Sequence, residues 1–375
     1  MSFAGAFPFS LSFLKFFLLG LLSLKLIGCN PFYVMDMGLH QFQVLTQRVS
    51  VDEVLRGTTV SEANKEKLKW IALAKAFGEE QIGLTPNKNY TLYYDTQGKP
   101  IAYNVIACAP DQFEIKLWWF PLLGTLPYLG FFEKEKAVAL QNELIEEGYD
   151  VFVSEVAGYS TLGWFADPVF SSMLDKNDIP SLVNLILHEQ THSTLYLKNQ
   201  SAFNETFANF IADKGTLLLL QQQQEEEEEE EEEEESNLIY LALYQKEQKE
   251  KEVLRQLLVK TQERLQEVYE ASFLTSEEKI RWKRRILADM TKEYQYLQKH
   301  ILGESYPKNF PLSYQNNAYL SLFHTYHREV EWFEKMYQAH QGDLRKTLQT
   351  LKKILNPKED AYQTMEKWLK ENPPP

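Results

Sequence analysis

Cysteine is scarce in this 375-residue chain: only Cys29 and Cys108 occur, so at most one bridge can form and a disulfide-stapled framework is excluded. There is no basic excess either, with 39 Lys and Arg against 53 Asp and Glu. The net charge of −14 shrinks to −3 once the eleven consecutive glutamates Glu225 to Glu235 are set aside. A nearly neutral fold carries no signature of nucleic-acid binding. A membrane-spanning run is also missing near the N-terminus. Phe16 to Leu24 supplies nine residues, against roughly 20 for a helix that crosses a bilayer. What the chain does have is apolar material, 44% hydrophobic and 13% aromatic, enough for one large core or two smaller ones.

Residues 1–28 hold no acidic residue, carry Lys15 before "FFLLGLLSL", and end in "LIG" before Cys29. That is the pattern of an export segment. Leu26-Ile27-Gly28-Cys29 resembles the lipobox of bacterial lipoproteins, although Lys25 interrupts the apolar run. The resemblance implies cleavage before Cys29 and lipidation of its thiol, which would anchor the protein in a bacterial envelope membrane. Asn30 after the cysteine favours the outer membrane where the cell has one. A plain secretory signal and a single anchor are the alternatives.

The periodicity divides the remainder. Helices are expected over 32–56 and 61–82, the second capped by Ser61. "YTLYYD" and "IAYNVIACA" then read as strands joined by the turn Asp95 to Pro100, with "EIKLWWFP" as a third and "YDVFVSEVAGY" as a fourth. A helix over 133–147, stopped by Gly148, precedes the last of these. Asp178-Ile179-Pro180 starts a helix running to about Leu197, and Ser201 caps its successor. "QQQQEEEEEEEEEEE" is a solvated spacer or a frayed helix extension. Beyond it, helices are expected over 237–271, from Thr275 (a capping box with Glu278) to His300, over 314–340, 343–354 and 358–371. The organisation expected is a 1–28 signal, a 29–220 α+β catalytic region, a 221–236 low-complexity insertion and a 237–375 helical bundle packed on the catalytic region.

One stretch carries chemistry. In "LILHEQTHSTLYL", residues 185–197, His188 and His192 fall at i and i+4 on one helix face, and Glu189 sits about 100° around from the first. Two imidazoles one turn apart suit one metal ion, with a carboxylate able to reach a water on it: the His-Glu-x-x-His arrangement of zinc hydrolases. An unpaired buried polar group costs about 2–7 kcal/mol, and a bound ion would offset that cost. Glu205, thirteen residues after His192, returns to the level of the pair on the next helix and is the expected third ligand, leaving the open position of a catalytic Zn²⁺. Asn209 and Asp213 follow at i+4 and i+8, placed to orient a ligand histidine.

"HEQTH" followed by "FNETFANFIADKG" resembles the gluzincin branch of zinc peptidases. Together with "WWFPLLG" (118–124), "GYSTLGWFADPVFSSML" (158–174) and "NNAYLSLFHTYHREVEWFE" (316–334), the chain resembles the bacterial family known as putative aminopeptidases, predicted zinc lipoproteins, over most of residues 29–355. The poly-Glu run looks like an insertion in that pattern, and Trp119 and Thr125 stand where the family pattern has cysteines. The resemblance implies an α+β, zincin-like catalytic region with a small sheet, followed by a mainly helical bundle, and a Zn²⁺-dependent peptidase acting on peptide substrates. In the expected reaction Glu189 is the general base. Tyr326 is the first candidate for oxyanion stabilisation, beside His327 and Tyr159. Tyr159, Ser160 and Thr161 would pair with an extended peptide, and Asn317, with Asn316, would hold a substrate terminus or cap a helix. Two alternatives are an interaction module whose zinc is structural, with His324 or His327 as a fourth ligand, and a zinc amidase acting on cell-wall peptide.

Overall fold

In this computed structural model the described residues are 31–120, 124–158, 165–230, 236–303, 306–321 and 330–375. The first expected helix divides in two. α1 (Pro31–Gln47) ends before a short strand β1 (Val49–Ser50), and α2 (Val51–Arg56) restarts because Ser50 accepts from the Asp52 N–H as its N-cap. α3 (Glu62–Phe77), capped by Ser61, widens into a π-helical turn over Gly78–Ile82.

The strands distribute over three small sheets, and the two joined by the expected turn do not pair with each other. β2 (Leu92–Tyr94) and β3 (Ala102–Cys108) flank the Asp95–Pro100 turn but join different sheets. β2 lies between β1 and β8 (Val169–Phe170), while β3 lies between β6 (Leu129–Phe131) and β7 (Asp150–Val156). The turn signal was local and sound. Pairing was decided elsewhere, by the seven-residue antiparallel register Ala102↔Val156 to Cys108↔Asp150. β4 (Trp118–Phe120) and β5 (Gly124–Leu126) make a separate hairpin, in which Trp119 faces Thr125. α4 (Lys134–Glu146) packs on the β3–β7 sheet through Ala137 and Leu144, and Gly148 leaves it at a φ of 91°. The molecule is α+β with small sheets and a mostly helical C-terminal region.

After β8 comes α5 (Ser171–Lys176), and then the helix pair that bears His188, His192 and Glu205. α6 (Ile179–Thr194) starts at Asp178, whose carboxylate accepts from the Ser181 N–H, with Pro180 in its first turn. α7 (Ser201–Glu230) packs against it and continues through the glutamine run as far as Glu230. The low-complexity stretch therefore begins as a helix extension. On α7, Phe203, Phe207 and Phe210 form an i, i+4, i+7 row into which Phe333 inserts, with ring centroids 5.4 to 5.7 Å apart. At about 100° per residue, Glu205 and Asn209 fall on the opposite side from that row. The two helices approach closely at Gly215, where a Cβ would meet Leu187 Cδ1 and Ile82 Cδ1 at 2.8 Å.

The helices beyond 236 distribute over two cores. α8 (Ser236–Glu270) and α9 (Ser276–His300) form an antiparallel hairpin with its own core, including Leu258, Leu265, Met290 and Tyr294, and Thr275 and Glu278 make the expected capping box. Lys283 of α9 pairs with Asp150 at 2.8 Å and so fastens this hairpin to the start of β7. α10 (Val330–Ala339), α11 (Leu344–Ile354) and α12 (Ala361–Glu371) instead join the main core around α7.

Gly215→Val should destabilise the protein by about 1–3 kcal/mol, the usual cost of overpacking a dense interface. Thermal denaturation of the two proteins side by side measures it, and an unchanged melting temperature would show that α6 and α7 do not meet there.

Candidate metal centre

The three expected ligands come together. His188 Nε2 and His192 Nε2 lie 3.0 Å apart, and the Glu205 carboxylate lies 3.4 Å from the first and 3.6 Å from the second. Among the described residues these are the group of His, Cys, Asp and Glu side chains able to share an ion, all their ligand atoms within 4.8 Å of one another. A tetrahedral zinc with bonds of about 2.0–2.1 Å requires ligand atoms about 3.3 Å apart. The two-imidazole, one-carboxylate set therefore fits such an ion in both chemistry and spacing. The side chains of His188, His192 and Glu205 are 14, 8 and 23% exposed, which leaves the centre reachable from one side.

Local sequence explains the geometry. The turn from α6 to α7 is closed by Asn204, whose Oδ1 accepts from the Leu197 N–H and whose Nδ2 donates to the Leu197 carbonyl, both at 2.8 Å. Asn204 is buried and adjoins Glu205, so the clamp that shapes the turn also sets the third ligand. Asn199 supplies a φ of 65° in the same turn, a conformation asparagine tolerates better than most residues. In the last turns of α6, Gln190 donates to the Lys75 carbonyl of α3, and Thr194 accepts from the Thr85 N–H at 2.8 Å, tying α6 to α3 and to the segment after it.

The electrostatics are those of a coupled acid and base. Burial pushes the Glu205 carboxyl up, but hydrogen bonds from His188 and His192 outweigh it and hold the pKa down at about 2. His188 moves the other way. Burial lowers it, yet Glu205, the charge of Glu189 and a hydrogen bond with Asn209 raise it above its ordinary value. Glu189 is raised by burial, which exceeds the opposing pull of the two imidazoles; Glu205 and Asp167 push further in the same direction.

Asn209 thus meets His188 as expected. Asp213 takes a different position: it accepts from Asn184 at 2.9 Å and from Tyr244 at 3.3 Å, bracing α6 a turn before the ligands. Asn317 is corrected more strongly. It is buried, accepts from the Tyr269 hydroxyl at 2.9 Å and donates to the Ala109 carbonyl at 2.9 Å, so its amide is spent inside the fold. Asn316 caps its own turn by accepting from the Tyr319 N–H. Cys29, Tyr159, Ser160, Thr161, His324, Tyr326 and His327 lie outside the described residues.

Two tyrosines at the centre escaped the sequence reading. Tyr196 lies just past the end of α6, its ring centroid 6.1 Å from that of His192. Its phenol is raised by desolvation and then by the charge of Glu205. Tyr128, between β5 and β6, is 37% exposed, yet desolvation raises its phenol too, followed by Glu205, Tyr196 and Glu189. Spacing alone could have found Tyr196. Nothing in the sequence around Tyr128 points to the metal helices.

Asn204→Ala should cost several times about 1 kcal/mol, because it strands the buried Leu197 N–H and carbonyl, and should weaken zinc binding measured by calorimetry. The metal-free protein should also show a pH window. Glu205, with its pKa lowered, stabilises above the ordinary 4.5 and loses that contribution as pH falls toward 2; His188, raised, stabilises below 6.5 and loses it as pH rises past its folded value. The melting-temperature advantage over Glu205→Gln should therefore be largest between 4.5 and 6.5 and shrink on both sides.

No curated protein and no solved structure matches the chain. A protein family does, over residues 32–365, and it is described as "Putative aminopeptidase". With nearly the whole described chain inside that match, from α1 through the paired metal helices to α12, the protein belongs to this family.

Proposed function

We propose that the protein is a zinc-dependent peptidase, acting as an aminopeptidase, held in the bacterial envelope by a lipid on Cys29. The observation that carries the catalytic part is the convergence of two imidazoles and a carboxylate at metal-ligand spacing, with Glu189 next to a ligand but outside the ligand set. The family description supports the bond class. Three protein ligands suit the open coordination of a catalytic zinc, whereas a fourth from His324 or His327, both outside the described residues, would make it a closed structural site.

A zinc ion bound there would supply Lewis acidity toward a carbonyl oxygen and a readily ionised water. The chain's own residues do the rest. His188, His192 and Glu205 bind the ion, and Asn209 orients the first imidazole. Glu189, its carboxyl raised above the ordinary range by burial, accepts the proton of the attacking water and delivers it to the departing amine. Tyr196 and Tyr128 are the described phenols beside Glu205, protonated and able to donate to a developing oxyanion; Tyr326 remains the sequence-based candidate for that role.

Glu189→Gln should retain zinc and lose about 10²–10⁴-fold of the hydrolytic rate, the range for removal of a general base. The assay is zinc-loaded protein on a mixed peptide pool, read by mass spectrometry. Residues released singly from the N-terminus, with Glu189→Gln silent, fit the aminopeptidase reading. Internal cuts would replace it with endopeptidase action, and no cleavage by zinc-loaded protein would remove the peptidase reading.

A further inference from the structure

The helix that follows Cys29 is apolar on two sides, and one side is already used. Tyr33 donates to the Gly130 carbonyl at 2.7 Å and its ring meets Phe120 and Phe131. Asp36 pairs with Lys136 at 2.8 Å, His40 stacks on Phe132 with centroids 4.8 Å apart, and Val44 is buried. These contacts fix α1 on β6 and α4. On its other side Val34, Met35, Leu39 and Phe42 are 51, 58, 62 and 65% exposed. At about 100° per residue the four span an arc of roughly 140°, and a Cβ at Gly38 between them would meet nothing. Asp36, on the inner side, is the one Asp, Glu, Lys or Arg in Pro31–Gln47. Met35 and Leu39 also rim a cavity of about 520 Å³ with Trp118, Trp119 and Leu129, and Lys136 stands at its edge. The apolar surface therefore continues from the helix onto the β4 hairpin and β6.

Single exposed apolar residues are ordinary, but a contiguous patch of this kind marks an interaction surface. The chain itself indicates the partner. Only Asn30 separates Cys29 from the start of α1, and six residues, Lys25 to Asn30, separate it from the apolar run Phe16–Leu24. Two extended residues reach at most about 7 Å, so a membrane-held Cys29 keeps the first turn of α1 at the bilayer surface. We infer that the outer face of α1 and the adjoining β4–β6 rim form a membrane-docking surface that lies in the headgroup–acyl boundary of a phospholipid bilayer. This rests on the reading of Cys29 as a lipid anchor. The composition suits the position: aliphatic and methionine side chains toward the bilayer and indoles at the boundary, with Lys136 already paired to Asp36 and Glu133. The described helices, α1 included, are not long and apolar enough to cross a membrane, so the contact runs along the interface plane. Acyl chain and helix face then provide two attachments, which fix orientation as well as proximity.

The test uses the full chain reconstituted into vesicles of phosphatidylcholine and phosphatidylglycerol brominated in mid-chain. Tryptophan emission is added at one of two exposed positions, Phe42→Trp on α1 or Phe273→Trp in the α8–α9 turn, where Phe273 is 83% exposed. The parent protein provides the background of its own tryptophans. The expected result is loss of the emission added at 42 and retention of that added at 273. Equal quenching at both positions, or none at 42, overturns the proposal. Blue-shifted but unquenched emission at 42 also overturns it, because residues 1–28 or a second copy would then cover the face. The mass of the N-terminal peptide reports acylation of Cys29 separately: selective quenching with an unmodified cysteine would sustain the docking surface and remove the anchor, and the converse would do the reverse.

Discussion

Two imidazoles and a carboxylate that all direct lone pairs at one point repel one another unless a cation sits between them, and the chain must hold them there regardless. That requirement organises the middle of the molecule. The ligands sit on α6 and α7, so their spacing is only as good as the packing of those helices. Gly215 lets the backbones approach, the phenylalanine row clamps α7 to α10, and the Asn204 clamp sets the level at which Glu205 returns. In the metal-free state, proton sharing between His188 and Glu205 relieves part of the repulsion, which is why their pKa values move in opposite directions. A metal would replace that proton.

Around this centre the remaining parts act as supports at different distances. α3 and its π-helical turn touch the back of α6 through Gln190 and Thr194. Asp213 and Tyr244 join α6, α7 and α8 at Asn184, one turn before His188. The α8–α9 hairpin is more independent: it has a core of its own and reaches the sheet through the Lys283–Asp150 pair and Asn317. Asp150 takes both Lys283 Nζ and the Asn317 N–H, at 2.8 and 2.7 Å, so one carboxylate at the start of β7 anchors two segments of the C-terminal half. Removing one partner of such a pair leaves a buried charge, which is why these residues are better understood as joints of the fold than as substrate contacts.

α1 is pinned to β6 by the Tyr33–Gly130 hydrogen bond, and Tyr128 stands two residues before that glycine, its phenol raised by desolvation and then by the charges of Glu205 and Glu189. On the proposed docking, the exposed face of α1 and the loop that holds Tyr128 would be oriented together.

Much of this was legible in the residues themselves, and the boundary follows range of interaction. Helix starts at Ser61, Asp178 and Thr275 depend on a side chain and an N–H three residues away, so each was readable locally and each is made. The ligand pair His188 and His192 depends only on 3.6-residue periodicity. Glu205 needed one further step, the length of a turn, and was still within reach. Strand pairing was not, because β2 and β3 look alike in composition and only the whole fold assigns them to different sheets. Nor could sequence show that Asn317 would be consumed by Tyr269 and Ala109, residues 48 and 208 positions away, or that Tyr128 would arrive beside Glu205. By itself the sequence determined the helix that carries His188, Glu189 and His192, its cap and the return of Glu205 to the pair, since these rest on contacts within about twenty residues. Tertiary structure alone decided which phenols and amides surround that centre and which face of α1 is left to solvent, since those depend on where distant segments meet.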